Sequence, residues 1–141
     1  YDNMPLVVQK SQIYTNFAIT YFFGTPGLKV IPNVRIGNDD TIGMLDAMPM
    51  GCLIAVGTNG FTWRRDNREI FRKQMKIVTD VLRPSGVLVY GQAYEYVFQS
   101  TIEAGIPVYQ YDSHTIKRNA EVKSGRRFCP TAKARRRYLR R

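Results

Sequence analysis

The densest group of chemically useful side chains in this sequence is a run of arginines and lysines near its C-terminus. Such cations neutralise successive phosphates of a nucleic acid and release their counterions. Phe128 and Tyr138 lie within the run and offer rings on which bases stack. The run predicts a nucleic-acid-binding segment that uses Arg126, Arg127, Lys133, Arg135, Arg136, Arg137, Arg140 and Arg141. The alternative is a solvated basic tail, or a localisation signal.

The net charge of the chain is confined to this end. Residues 117–141 hold eleven basic residues and one acidic residue, which account for the whole net charge of +10. Residues 1–116 hold ten basic and ten acidic residues. We therefore expect an α/β domain over residues 1–116 and a basic tail over 117–141. The partner that fits this tail is DNA or RNA, and an acidic protein is the alternative partner.

A second candidate for nucleic-acid contact lies inside the domain. Trp63, Arg64 and Arg65 are adjacent in the sequence. A tryptophan beside two guanidinium groups can stack on a base while the cations hold its phosphate. A solvated loop before a helix explains the same residues equally well, so both interpretations are kept.

Polar side chains occur where the predicted strands end. Asn33 and Arg35 belong to the first predicted strand, Asn59 follows the second and Gln92 follows the third. In α/β folds, ligands bind at the carboxyl ends of parallel strands. The pattern predicts a ligand crevice built from these four residues, although each also suits an ordinary turn. The nearby Gly57–Gly60 loop lacks the spacing of a known phosphate-binding motif, and the cofactor is unknown.

Asp112 and His114 are weak candidates for catalysis. Ser113 separates them, and three consecutive residues point in different directions, so they do not form a local triad. Combined with aspartates of the first crossover, they suggest a metal-dependent phosphodiesterase. Those aspartates are Asp39, Asp40 or Asp46. Asp39 and Asp40, next to Gly37 and Asn38, are more typical of a polar turn that precedes a helix, so no metal site is assigned. Three interpretations remain: a nucleic-acid-binding protein, a nucleotide- or phosphodiester-processing enzyme, and a structural component of an assembly.

These side chains are positioned by short β-branched runs that alternate with segments of helical period. The pattern predicts an α/β fold with a mostly parallel sheet of about four or more strands, either doubly wound or a partial barrel. Strands are expected at 29–36, 53–57, 86–90 and 107–111. Helices are expected at 66–82 and 94–104, with a short crossover at 41–48. Residues 6–8 suggest a strand, and residues 13–23 have no clear period.

Length and composition limit the class of protein. A chain of 141 residues with 44% apolar residues can bury one core without cross-links. The two cysteines, Cys52 and Cys129, have no metal or disulfide spacing and favour a reducing compartment. No apolar run is long enough to cross a membrane or to serve as a signal peptide, so we expect a cytoplasmic protein without a membrane partner.

Four segments over residues 5–92 carry a resemblance to known sequences. They are Pro5–Gln12, Thr15–Gly24, Val30–Arg35 and Gly57–Gly60. Together they resemble an uncharacterised family of proteins encoded by phages and mobile elements. The resemblance implies a bacterial host cell and supplies no catalytic residue. Two of the segments contain Asn33, Arg35 and Asn59, which favours a role for these residues in a site.

Overall fold

The computed structural model describes residues 4–59, 62, 64–123 and 137–138. For residues 120–123 and 137–138 it describes the backbone alone. The helices are α1 (Leu6–Gly24), α2 (Arg65–Leu82), α3 (Gln99–Glu103) and α4 (His114–Lys123), with 3-10 helices at Asp39–Ala47 and Glu95–Val97. The strands are β1 (Leu53–Gly57), β2 (Gly86–Tyr90), β3 (Val108–Tyr111) and β4 (Arg137–Tyr138).

The sheet has the order β1-β2-β3-β4, in which the first three strands are parallel. β4 is a two-residue strand that pairs with β3 in the antiparallel direction. The parallel strands follow one another in sequence order. The α/β class and the parallel sheet are thus as predicted, with three parallel strands, while the choice between a doubly wound sheet and a partial barrel stays a prediction.

The first predicted strand, at residues 29–36, is not a strand. It is extended but forms a single parallel bridge, between Asn33 and Ala55. Val34 N donates to Ala55 O at 2.8 Å, and Ala55 N donates to Pro32 O at 2.8 Å. The next bridge toward the N-terminus would need an N–H from residue 32, and proline has none. Pro32 therefore ends the ladder on the N-terminal side of this bridge.

Two other expectations change in the structure. Residues 6–8 belong to helix α1 and not to a strand, because Pro5 O accepts from Val8 N and Gln9 N at 2.9 and 3.1 Å and starts the helix. The helix expected at 94–104 is a 3-10 turn followed by the short α3. The helix expected at 66–82 is confirmed as α2, which begins one residue earlier and ends at Leu82. The next residue, Arg83, has the left-handed conformation (φ 44°).

The core lies between one face of the sheet and helices α2 and α3. Its fully buried side chains come from alternate strand positions and from the inner faces of the helices, and they include Ile54, Val56, Val87, Val89, Met75, Val78, Leu82 and Phe98. Phe98 packs edge-on against Phe71, with ring centroids 6.0 Å apart. The alternation of buried residues along each strand means that the core uses one face of the sheet.

A buried hydroxyl pair joins α2 to α3 and provides a test of this packing. Thr79 Oγ1 and Thr101 Oγ1 are 2.8 Å apart, and both residues are buried. Changing either residue to valine leaves the other hydroxyl without this bond, so we expect each single variant to lose about 1–2 kcal/mol of unfolding free energy. The double valine variant should lose less than the sum of the singles. Chemical denaturation measures all four proteins, and strictly additive losses would contradict the pairing.

Candidate nucleic-acid interface

The sheet has a second face, which supplies no side chain to the core cluster of the described residues. We call it the open face, and its strand positions are Leu53, Ala55, Gly57, Leu88, Tyr90, Tyr109 and Tyr111. Gly57 and Tyr90 are exposed, and the tyrosines of β3 are half-buried. Parallel strands are normally covered by helices on both faces. A partly uncovered parallel sheet with several tyrosines is therefore a candidate binding surface.

The extended segment next to β1 widens this face. Asn33 bridges Ala55 in the parallel direction, so it shares the open face with Ala55. Arg35 follows two residues later in the extended segment, on the same side of its backbone as Asn33. Both Asn33 and Arg35 are exposed. Gly57, Tyr90 and Tyr111 are in register at the carboxyl ends of the strands, and we call these three residues, together with Arg35 of the adjacent extended segment, the edge row.

Tyr90 is held in place within the edge row. It is 49% exposed, and its hydroxyl accepts a hydrogen bond from His114 N at 3.1 Å. This bond joins the hydroxyl of Tyr90, the last residue of β2, to the first turn of α4. Gly57, its neighbour in the row, has no side chain, and a Cβ built there would meet nothing within 4 Å. The ring of Tyr90 is therefore fixed beside an open gap in the sheet surface.

Ser113 caps α4 and connects it to the end of β1. Its Oγ accepts from Ile116 N at 3.3 Å and lies 3.4 Å from Asn59 Oδ1, to which it donates. Ser113 is completely buried. Asn59 was predicted to line a ligand crevice, but here its side-chain oxygen accepts a hydrogen bond that joins the end of β1 to α4. The N-terminus of α4 and the ends of β1 and β2 are therefore locked together.

Two of the four residues predicted for the crevice lie together. Asn33 and Arg35 line a cavity of about 420 Å³ between α1 and residues 33–37, into which Gln12 and Asn16 also extend. The side chain of Asn16 donates to Asn33 O. Gln92 is exposed in the loop after β2 and is not among the residues that line this cavity. A role in ligand binding stays a prediction for all four residues.

The weak catalytic candidates have ordinary surroundings. Asp112 Oδ1 accepts from Gln110 Nε2 at 3.2 Å, while Gln110 Oε1 accepts from Ala93 N at 3.0 Å. His114 is exposed at the start of α4. Asp39, Asp40 and Asp46 lie on the 3-10 helix that packs against α1 and α2. Within residues 4–59, 62 and 64–119, no three His, Cys, Asp or Glu side chains are grouped to hold a metal.

The structure describes only part of the predicted nucleic-acid contacts. Arg64 and Arg65 are exposed at the start of α2. Arg137 lies in β4, where its backbone pairs with Gln110. The other predicted contacts lie outside the described residues: Trp63, Arg126, Arg127, Lys133, Arg135, Arg136, Arg140 and Arg141. The division of the chain near residue 117 stays a prediction, and α4 runs across that position.

Sequence reasoning missed the tyrosines of the edge row. Tyr90 and Tyr111 each end a strand, and Tyr109 lies two residues before Tyr111. Alternate tyrosines along a strand share one face, which was the available signal. Arg68 was also missed: its guanidinium lies 4.3 Å from the ring centroid of Tyr94, and its Nε donates to Thr62 O at 2.7 Å. Burial raises the pKa of the Cys52 thiol, which disfavours the thiolate that a nucleophilic cysteine requires.

Among the helices of the described residues, none combines the length and the apolar character that crossing a membrane requires.

The fold and the open face define an α/β protein with a consecutive parallel sheet that is packed on one side. The family model described as "Domain of unknown function (DUF4417)" matches residues 1–112, and the chain belongs to that family. It is also similar to the "Gene 1 protein" of Mycobacterium phage L5, with 28% identity over 93 residues. That alignment covers 65% of this chain but 41% of the phage protein. The predicted resemblance to a phage family of unknown function is confirmed, and no solved structure matches the chain.

Proposed function

We propose that the chain binds single-stranded nucleic acid, with bases on the open face and phosphates on the surrounding cations. The observation that carries this proposal is the edge row, in which Arg35 and Tyr90 flank the bare backbone of Gly57. Exposed aromatic side chains on a sheet are a common platform for unpaired bases. Base faces are accessible only when the strand is unpaired, which favours single-stranded over double-stranded ligands.

The dimensions of the edge row suit one base. Neighbouring strands lie about 4.8 Å apart, so the extended segment that bridges β1 at Asn33 and strand β2 on the other side of β1 are about 10 Å apart. The gap over Gly57 is wide enough for a base to stack on the ring of Tyr90. Arg35 then lies on the far side, where its guanidinium can contact the phosphate or stack on the next base. The bond from His114 N fixes the ring beforehand, which lowers the entropic cost of stacking.

The distribution of charge supports the same ligand. β4 pairs with β3 at Tyr109 and Gln110, so the backbone of Arg137 and Tyr138 lies at the border of the open face. Helix α4, which starts beside Tyr90, carries Lys117 and Arg118 in its first turns. Cations at this edge would hold the phosphates of a strand whose bases lie on the tyrosines. Base contacts from the face and phosphate contacts from the tail would then act on one ligand.

The test is the binding of fluorescent oligonucleotides to the purified 141-residue chain, measured by anisotropy. We expect oligo-U and oligo-dT to bind more tightly than a duplex of equal length. Tyr90→Leu should weaken binding of the single strands by about tenfold or more, because one stacked base contributes about 1–3 kcal/mol. Tyr90→Phe keeps the ring and should bind within about threefold of the unmodified chain.

The matched control is Tyr96→Leu. Tyr96 is also an exposed tyrosine, at 37%, but it lies in the 3-10 helix before α3 and outside the open face. This variant should bind like the unmodified chain. Equal affinity of Tyr90→Leu and Tyr96→Leu would show that the open face does not bind bases. A preference for the duplex would contradict the single-strand proposal.

A further inference from the structure

Helix α1 presents a large exposed apolar surface. Its inner side, with the buried residues Gln9 and Ile13, packs against the 3-10 helix Asp39–Ala47 and the segment at 33–37. Its outer side carries Val7, Tyr14 and Tyr21, which are 74%, 67% and 77% exposed. Groups of exposed apolar side chains on a folded protein mark contacts with other molecules. The question is which molecule covers the helix.

The outer residues have a heptad spacing. Val7, Ser11, Tyr14, Ala18, Tyr21 and Thr25 follow one another at intervals of four and three residues. All six are exposed, and Thr25 continues the helical backbone at the end of α1 (φ −57°, ψ −43°). Alternating intervals of three and four produce a straight seam along a helix, the pattern used by paired helices. We call this set the outer seam.

Large and small residues alternate along the outer seam. Because of this alternation, two copies of the seam are complementary in shape when the helices are antiparallel. In an antiparallel pair of helices with a two-fold axis near residue 16, Tyr14 lies opposite Ala18 of the second helix. Ser11 lies opposite Tyr21, and Val7 opposite Thr25, since each pair is centred on the same residue. Every large side chain thus faces a small one, which is how paired helices interlock. A parallel pair would instead put Tyr14 against Tyr14.

We propose that α1 forms an antiparallel helix pair with α1 of a second copy of this chain. Charge does not oppose this contact, because Lys10 is the one charged residue among residues 6–28. An acidic or basic partner would need charges to match, and the seam offers none.

The surface available suits a reversible dimer. The two tyrosines of the outer seam and the neighbouring Phe22 bury on the order of 300–500 Å² per copy when allowance is made for their partial exposure. Stable interfaces bury about 800 Å² per partner, so the seam with its neighbours approaches that area. We therefore expect dissociation in the micromolar range. A symmetric pair also presents two open faces on one particle, although the dimer does not depend on the proposed function.

Sedimentation equilibrium of the full chain over a concentration series, in high salt and without nucleic acid, tests the proposal. We expect a monomer–dimer equilibrium that Tyr14→Glu shifts to monomer by at least tenfold in dissociation constant. Met50→Glu is the control, because Met50 is 66% exposed but lies in the loop before β1. An unmodified chain that stays monomeric over the whole concentration series would overturn the proposal. A dimer that survives Tyr14→Glu would show that another surface associates.

Disulfide trapping tests the direction of the pair and does not depend on a charged substitution. Cys52 and Cys129 are first changed to serine. Chains carrying Tyr14→Cys are then mixed with chains carrying Ala18→Cys and oxidised mildly. The antiparallel pair predicts cross-linked dimers mainly between the two different chains. Cross-linking of Tyr14→Cys chains mainly with each other would contradict the proposed geometry, and so would no cross-linking at all.

Discussion

Changing the eight tail cations predicted to contact phosphate to glutamine should remove most of the affinity for nucleic acid while leaving the domain folded. The eight positions are Arg126, Arg127, Lys133, Arg135, Arg136, Arg137, Arg140 and Arg141. Each cation that neutralises a phosphate of a single strand contributes about 0.7 to the slope of log K against log salt concentration. If all eight make contact, the slope falls by roughly 5–6, and affinity at low salt falls by several orders of magnitude.

This experiment needs a control for overall charge. Changing Arg135, Arg136 and Arg140 to glutamine removes the same charge as changing Arg72, Lys73 and Lys76, which lie exposed on the outer side of α2. We expect the tail triple to lower the salt slope by about 2 and the helix triple to lower it much less. Anisotropy titrations at several salt concentrations give both slopes. If the two triple variants had equal salt slopes, the tail would act only through its net charge. If the salt slope of the eightfold variant equalled that of the unmodified chain, the tail would not contact the nucleic acid.

Gly91→Ala should destabilise the domain strongly, because the residue combines a restricted backbone conformation with a close contact. Its φ is +122°, a region that residues with a Cβ rarely adopt. A Cβ at this position would lie 2.5 Å from Thr58 Oγ1 and 3.0 Å from Asn59 N. Strain of this type costs about 1–3 kcal/mol, and overpacking adds a similar amount. We expect a loss of about 2–5 kcal/mol in the free energy of unfolding.

Gly105→Ala separates the two causes. Gly105 also has a positive φ, of +75°, but a Cβ there meets nothing within 4 Å. It should therefore show the conformational cost alone, about 1–2 kcal/mol. Gly57→Ala, on the open face with free space around it, should leave stability nearly unchanged. Urea denaturation compares the three variants, and a loss in Gly91→Ala no greater than in Gly105→Ala would show that the strand ends adapt to the added methyl group.

Backbone hydrogen bonds around Gly91 hold the strand ends of the edge row in fixed positions. Gly91 N donates to Tyr111 O at 2.9 Å, and Thr58 N donates to Tyr90 O at 3.1 Å. The backbone at the ends of β1, β2 and β3 is therefore bonded across all three strands. Ser113 and His114 add the bonds to Asn59 and Tyr90. A surface fixed in this way can hold a ligand without first ordering itself.

The sequence by itself determined the class of the fold, the central strands and helix α2. Strands β1 and β2 are short β-branched runs, and α2 has a strong amphipathic period that ends at Arg83–Pro84, so local signals and tertiary packing agree there. The charge asymmetry was also visible in the sequence, since it requires only a count of the charged residues. The family resemblance over residues 5–92 lies inside the matched region of 1–112.

The tertiary structure alone decided the identity of α1, the loss of the first strand and the candidate site on the open face. Residues 6–8 are β-branched in part, yet they are helical because the backbone of Pro5 starts the helix and Gln9 anchors it, with its Oε1 accepting from Asn38 N at 2.8 Å. Pro32 stops the pairing with β1 on the N-terminal side of the single bridge. The edge row joins residues 35, 57, 90 and 111, which are far apart in sequence. The register of the strands puts 57, 90 and 111 side by side, and the bridge between Asn33 and Ala55 puts the segment of Arg35 next to β1.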